Sequence, residues 1–254
     1  MSLMRAVGRC LAPVLTAVCM VSICMVSMAV ANSKDPRVPA DRETGGIPVA
    51  IICTGVNYTL PEIAKRLARD GEGEIIGWDF ADGDHRPFDT ASGRAPVEHG
   101  GDGTALGSLL LAQSPDLRLS PVRFDPQSPA SLGRALAFAG QTHTRVVLLA
   151  VSSARREDWD LFKRAAEHFQ HLLIVVPEAR GEATAFPASL GLDNVMVVPS
   201  KDVQAVSAVG FEGSPVTIAP EIAAAVRVAA KAATEAARDP NLDGAALRKL
   251  LQAE

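Results

Sequence analysis

Ile47-Pro48-Val49-Ala50-Ile51-Ile52-Cys53-Thr54-Gly55-Val56-Asn57-Tyr58 reads as a buried strand that runs into a tight Thr-Gly turn. In an open parallel sheet the carboxyl ends of the strands are where chemistry is placed. Cys53 stands at that end, so the functional reading turns on its thiol.

Beyond this stretch, short Val-, Ile- and Leu-rich runs alternate with amphipathic segments. That alternation is the signature of βαβ units and a parallel sheet covered on both faces. Strands are expected at Val49–Cys53, Glu74–Trp78, Arg145–Val151, Leu172–Val176 and Val195–Val198. Helices are expected at Pro61–Arg69, Thr104–Gln113, Pro129–Gly140, Arg156–Phe169, Pro220–Ala237 and Gly244–Gln252. In Pro220–Ala237 the charges Arg227, Lys231 and Glu235 fall on one stripe of an otherwise Ala-rich surface, which suits close burial against a sheet. The expected fold class is α/β, three layers around a mostly parallel sheet.

The amino terminus has Arg5 and Arg9, an apolar run from Cys10 to about Met28, then Ala29-Val30-Ala31 before polar Asn32-Ser33-Lys34-Asp35. This pattern predicts a signal peptide over 1–31 with cleavage near Ala31 and a periplasmic or secreted product. An uncleaved anchor is the competing reading, because the apolar run approaches a bilayer span. Bulky Val18 and Ile23 argue against lipid attachment at Cys19 or Cys24. Residues 32–46, with Pro36, Pro39 and paired charges, read as a linker, and 47–254 as one domain.

Cleavage leaves Cys53 as the single cysteine, which excludes an intramolecular disulfide. It also removes Arg5 and Arg9, leaving 23 basic residues against 29 acidic ones. An acidic chain of this kind argues against nucleic acid and anionic membrane surfaces as partners.

Four blocks in order resemble the subtilisin-like serine peptidases, the subtilases. Val49 to Pro61 is similar to the family's strand, Asp-Thr-Gly turn and His-Pro step; Ile76-Gly77-Trp78-Asp79-Phe80 resembles its Gly-Trp-Asp-Phe segment. Gly101-Asp102-Gly103-Thr104-Ala105-Leu106-Gly107-Ser108 is shaped like Gly-His-Gly-Thr-His-Val-Ala-Gly. Phe186-Pro187-Ala188-Ser189 followed by Asp193-Asn194-Val195 is similar to Tyr-Pro-Ala-Ser and Asp-Asn-Val, and Pro240-Asn241-Leu242 precedes a similar terminal helix. The resemblance covers about residues 47 to 252 and implies a subtilisin-like α/β/α fold, reduced in size.

The chemistry of that family needs a nucleophilic Ser, a His base, an Asp to orient the His and an oxyanion donor. This chain departs at each place. Cys53 stands where the resemblance puts the Asp, and a thiol is a weak acceptor. Asp102 stands where it puts the His, and a carboxylate is a poor base for a serine hydroxyl but suits a helix N-cap. Arg180 stands at the oxyanion donor. For the nucleophile, one alignment on Ala219-Pro220 places Val216 there. The other matches Val216-Thr217-Ile218-Ala219-Pro220 to an earlier Val-Asp-Ile-Ala-Ala-Pro strand, with the nucleophile loop deleted, which suits the short chain.

Rescue by neighbours would call on Ser214 and Thr217 as hydroxyls and His99 as base. His99 lies three residues before Asp102, and a misplacement of about 1 Å can cost a hundredfold in rate. A nucleophilic role for Cys53 needs a cationic neighbour or a helix N-terminus, whereas its expected neighbour is the acid Asp102.

His168 and His171 lack further partners with zinc spacing, and His143 stands apart. Asp79, Asp82, Asp84 and Asp89 do not follow an EF-hand spacing and are expected in a solvated loop. Gly100-Gly101-Asp102-Gly103-Thr104 lacks the lysine of a phosphate loop. No cofactor or metal is expected. The sequence therefore predicts an exported pseudopeptidase that binds a peptide or protein partner by strand addition in the former substrate groove. A serine endopeptidase using displaced residues is the competing enzyme reading, and a scaffold the third. A groove open near Val216 and Cys53 would favour binding; one filled by the protein's own side chains would favour the scaffold.

Overall fold

The structure, a computed structural model, describes residues 35–42, 44–89, 102–128, 130–151, 159–178 and 186–253. Six parallel strands form the central sheet: β1 (Ile47–Cys53), β2 (Trp78–Asp79), β3 (Leu117–Arg123), β4 (Val146–Leu149), β5 (Leu173–Pro177) and β6 (Val195–Val198). Their spatial order is β2-β3-β1-β4-β5-β6. β1 lies at the centre, with Ile51 opposite Pro121 on one side and Leu148 on the other.

Alternation along β1 separates two cores. Val49, Ile51 and Cys53 face one layer, built from α1 (Pro61–Ala64), α2 (Gly103–Leu111), α5 (Pro220–Arg238) and α6 (Gly244–Gln252). Ala50 and Ile52 face the other, built from α3 (Ala130–Gly140) and α4 (Asp160–His168). α5 crosses β1, β4, β5 and β6 with Ala223, Ala225, Ala229 and Ala232 fully buried, small side chains that let its backbone approach the sheet. Among the described residues no helix is long and apolar enough to cross a membrane.

Two expectations change. The sequence reading has no strand at Leu117–Arg123, which is β3 in the structure and contains Pro121. The register explains why the proline is tolerated. Phe124 N–H donates to Cys53 C=O at 3.0 Å, and Leu119 N–H to Arg66 C=O at 2.7 Å. Even-numbered N–H groups of β3 therefore face β1 and odd-numbered ones face outward, so the donor that Pro121 lacks is on the outer side. There, Ala68 N–H donates to Leu119 C=O at 2.8 Å, Phe80 N–H to Arg123 C=O at 2.8 Å, and the outer edge is served by two pieces either side of the proline. This also shortens the expected Pro61–Arg69 helix to α1, since residues 66–68 turn to pair with Leu119. The expected strand Glu74–Trp78 becomes Trp78–Asp79, because Ile75 pairs back with Arg69.

The second change is an antiparallel hairpin, β7 (Val206–Val209) and β8 (Pro215–Ile218), pairing Ala208 with Val216. It packs beside α2 and passes into α5 through Ala219 alone. Residues 35–39, within the stretch read as a linker, are fastened to the domain. Tyr58 Oη donates to Pro36 C=O at 2.6 Å and Arg69 Nη2 to Pro39 C=O at 2.7 Å.

Candidate active site

The carboxyl end of β1 meets the start of α2. Gly55 has φ +115°, and a Cβ there would lie 2.6 Å from Phe88 C=O, so the turn after Cys53 requires glycine. A Cβ on Gly103 would lie 2.1 Å from Gly55 O and 2.6 Å from Cys53 Sγ. The first turn of α2 is thus pressed directly on the thiol. Cys53 has no exposed surface, and its Sγ lies 3.5 Å from Gly55 C=O as a weak donor. Burial pushes the thiol up to about 12, and the charges of Asp89 and Asp102 add to the shift against the Gly55 contact. At neutral pH it is a neutral, packed side chain.

Asp102 is the N-cap of α2. Its Oδ1 accepts from Ala105 N–H at 2.9 Å and its Oδ2 from Phe211 N–H at 3.4 Å. A Cβ on Gly210 would lie 3.1 Å from that Oδ2 and 2.7 Å from Val216 Cγ1. Cys53, Asp102 and Val216 are therefore brought to one corner, linked through Gly103 and Gly210. Ser214 lies in the exposed hairpin turn, where its C=O accepts from Gly210 N–H at 2.9 Å. Arg180 and His99 lie outside the described residues.

The hairpin tip closes this corner. Asn57 donates from its backbone N–H to Thr104 Oγ1 at 2.9 Å and from Nδ2 to Phe211 C=O at 2.7 Å. The Phe211 ring stands edge-on to Phe88 at 5.3 Å, and Phe88 to Tyr58 at 5.2 Å. Asn57, Phe88 and Phe211 were not singled out from sequence. The available signal was the pair Gly210 and Gly213 between two short apolar runs, which marks a turn.

The expected solvated loop of Asp79, Asp82, Asp84 and Asp89 is corrected, because Asp79 and Asp89 are fully buried. Asp35, Asp79 and Asp82 bring carboxylate oxygens within 4.8 Å of one another. Arg123 Nη1 stands among them, 2.7 Å from Asp79 Oδ2 and 2.6 Å from Asp82 Oδ2. Burial opposes the guanidinium charge, but its bonds to Asp79 and Asp82 outweigh that and hold its pKa above the ordinary arginine value. The arginine supplies the positive charge that a bound cation would bring. His143 and His168 are exposed, and His171 is half-buried with its pKa lowered by burial and by Arg145.

An open groove of about 410 Å³ lies between Leu109 and Leu111 of α2, with its C-cap Ala112, and Ala208, Val209 and Pro215 of the hairpin.

No family model matches the chain, and comparison with curated protein sequences gives no match. Solved structures do match. A cold-adapted subtilisin-like serine proteinase is 17% identical, with 86% of this chain and 85% of that chain covered at a TM-score of 0.62. Sphericase is 18% identical, with 82% and 83% covered at 0.62. The epidermin leader peptide processing serine protease of Staphylococcus aureus is 13% identical, with 77% and 67% covered at 0.58. The fold of this chain is subtilisin-like.

Proposed function

We propose that this subtilisin-like fold is a pseudopeptidase, exported by its amino-terminal signal, that binds a peptide or protein segment in extended form. The observation that carries the loss of catalysis is the corner itself. A catalytic triad needs an ionised orienting acid and a base free to move a proton. Here the thiol of Cys53 is buried and protonated, and both oxygens of Asp102 are engaged by backbone N–H groups. β8 leads into α5 through one residue, so Val216 stands on a strand rather than on a loop or a helix start.

The test is to incubate the full chain with a fluorophosphonate probe and with casein as a generic substrate. No labelling and no cleavage are expected. Labelling that disappears in Ser214→Ala would instead establish the serine endopeptidase reading. Export is tested by fractionating expressing cells, where product lacking residues 1–31 belongs outside the cytoplasm.

A specific observation favours a scaffold as the second reading: the protein's own side chains pack at the corner, Phe211 against Phe88 and Val216 beside Gly210. Binding is supported by the groove along α2, which is open and apolar.

A further inference from the structure

The hairpin ladder leaves one outward peptide edge beside that groove. Gly210 N–H donates to Ser214 C=O, and Ala208 and Val206 pair with Val216 and Ile218. Antiparallel pairing alternates, so Val206, Ala208 and Gly210 turn their N–H and C=O groups toward β8, and Ser207 and Val209 turn theirs outward. The outward groups of Val209 are taken by α2: its N–H donates to Ser108 Oγ at 3.0 Å, and its C=O accepts from that hydroxyl at 2.9 Å. Ser207, two residues earlier on the same edge, is exposed, and among the described residues no group meets its outward N–H or C=O.

The charge around the groove is uneven. Glu62 and Arg66 both line it. Arg66 is engaged by the backbone, donating from Nε to Leu117 C=O at 3.1 Å and from Nη1 to Leu111 C=O at 3.2 Å, with a further bond from Nη2 to Ser114 C=O. Glu62 is exposed and makes no ion pair among the described residues, on a chain of net charge −4. Its carboxylate is the charge available to a ligand.

We propose that the groove between α2 and the outer edge of β7 takes an extended, basic peptide segment. One of its residues exchanges N–H···O bonds with Ser207, an apolar side chain enters between Leu109, Ala112 and Pro215, and a neighbouring Lys or Arg meets Glu62. Backbone pairing at an edge gives affinity while side-chain pockets give selectivity, and the volume lies within the range of sites that hold small ligands. This inference rests on the binding reading above and places binding at the hairpin edge rather than at the corner of Cys53.

The experiment uses fluorescence anisotropy of the full chain with two fluorescein-labelled heptapeptides, one alternating valine and lysine, the other valine and glutamate. The lysine peptide is expected to bind and the glutamate peptide not. Ser207→Pro removes the outward N–H without removing a ladder bond, and Ala112→Trp fills the groove. Each should weaken binding at least about tenfold, the loss of roughly 1.4 kcal/mol. Glu62→Gln, a surface change that leaves packing intact, should weaken binding of the lysine peptide and flatten its salt dependence, while Ser207→Ala should bind as the parent. Lysine-peptide binding that is unchanged in Ser207→Pro, Ala112→Trp and Glu62→Gln, each shown to be folded by its urea midpoint, overturns the site and leaves the binding reading standing. No binding of either peptide by the parent chain overturns the site and counts against the binding reading with it.

Discussion

Asp102 accepts a hydrogen bond from the backbone N–H of Phe211 across 3.4 Å, so the residue that caps α2 also holds the tip of the hairpin. Two bonds from one carboxylate tie elements more than one hundred positions apart. Loss of an N-cap costs about 0.5–2 kcal/mol, typically about 1. Asp102→Ala is expected to lower unfolding free energy by at least that much, and Asp102→Asn by less, because an amide oxygen still caps Ala105. Urea unfolding of both variants checks this; equal losses would remove the cap from the argument.

Cys53 gives the fold a specific alkaline limit. In the unfolded chain a thiol ionises near its ordinary value of about 8.5, whereas in the fold burial pushes it up to about 12. Between those values the unfolded state holds fewer protons, so stability falls as pH rises, by up to about 1.4 kcal/mol per pH unit. Below pH 8 the contribution is complete and flat. Cys53→Ala should therefore show a shallower loss above pH 9, measured by chemical unfolding from pH 7 to 11. At pH 8.5 the native Cys53 thiol, followed on the peptide that carries it, should also resist iodoacetamide until denaturant is added.

The pair of Arg123 and Asp79 is buried on the acid's side, and its removal should be felt unequally. Arg123→Ala leaves a carboxylate with no exposed surface uncompensated, a change that costs about 3–5 kcal/mol. Adding Asp79→Asn should recover much of that loss. Asp82 is half exposed, so Asp82→Ala should cost within about 1 kcal/mol. A double-mutant cycle in urea reads all three, and a small effect of Arg123→Ala alone would contradict the burial argument.

Gly103 is fixed by its neighbours rather than by its torsion. A methyl group there meets the Gly55 carbonyl and the Cys53 sulfur, and the carbonyl belongs to a turn that cannot retreat. Gly103→Ala should cost about 2–3 kcal/mol. Gly71→Ala, where nothing lies within 4 Å, should be neutral or slightly stabilising. Thermal unfolding of the two side by side is the check.

Much of the architecture was legible because burial on both faces of a parallel sheet writes continuous apolar runs. The run from Val195 to Val198 is the strand expected, and Gly244–Gln252 is the helix expected, residue for residue. β3 was not legible, because Pro121 and two arginines break its apolar run; the tolerance of the proline depends on which side its missing donor faces. The hairpin was hidden for a related reason: Ser207 and Thr217 are exposed and only one face of each strand packs. At the corner, Cys53, Asp102 and Val216 could be named from ordered motifs. Phe211 and Asn57 could not, since their meeting depends on how the hairpin folds back over α2.

The single-residue passage from β8 into α5 bears on evolutionary reversibility. Point substitutions exchange side chains but do not lengthen a connection. With only Ala219 between Ile218 and Pro220, replacing Val216 with serine would set a hydroxyl on a paired strand, held by the ladder with Ala208. On the pseudopeptidase reading, a lineage that reached this arrangement would regain a nucleophile loop by an insertion and a refolding of the hairpin around it, and not by point substitution.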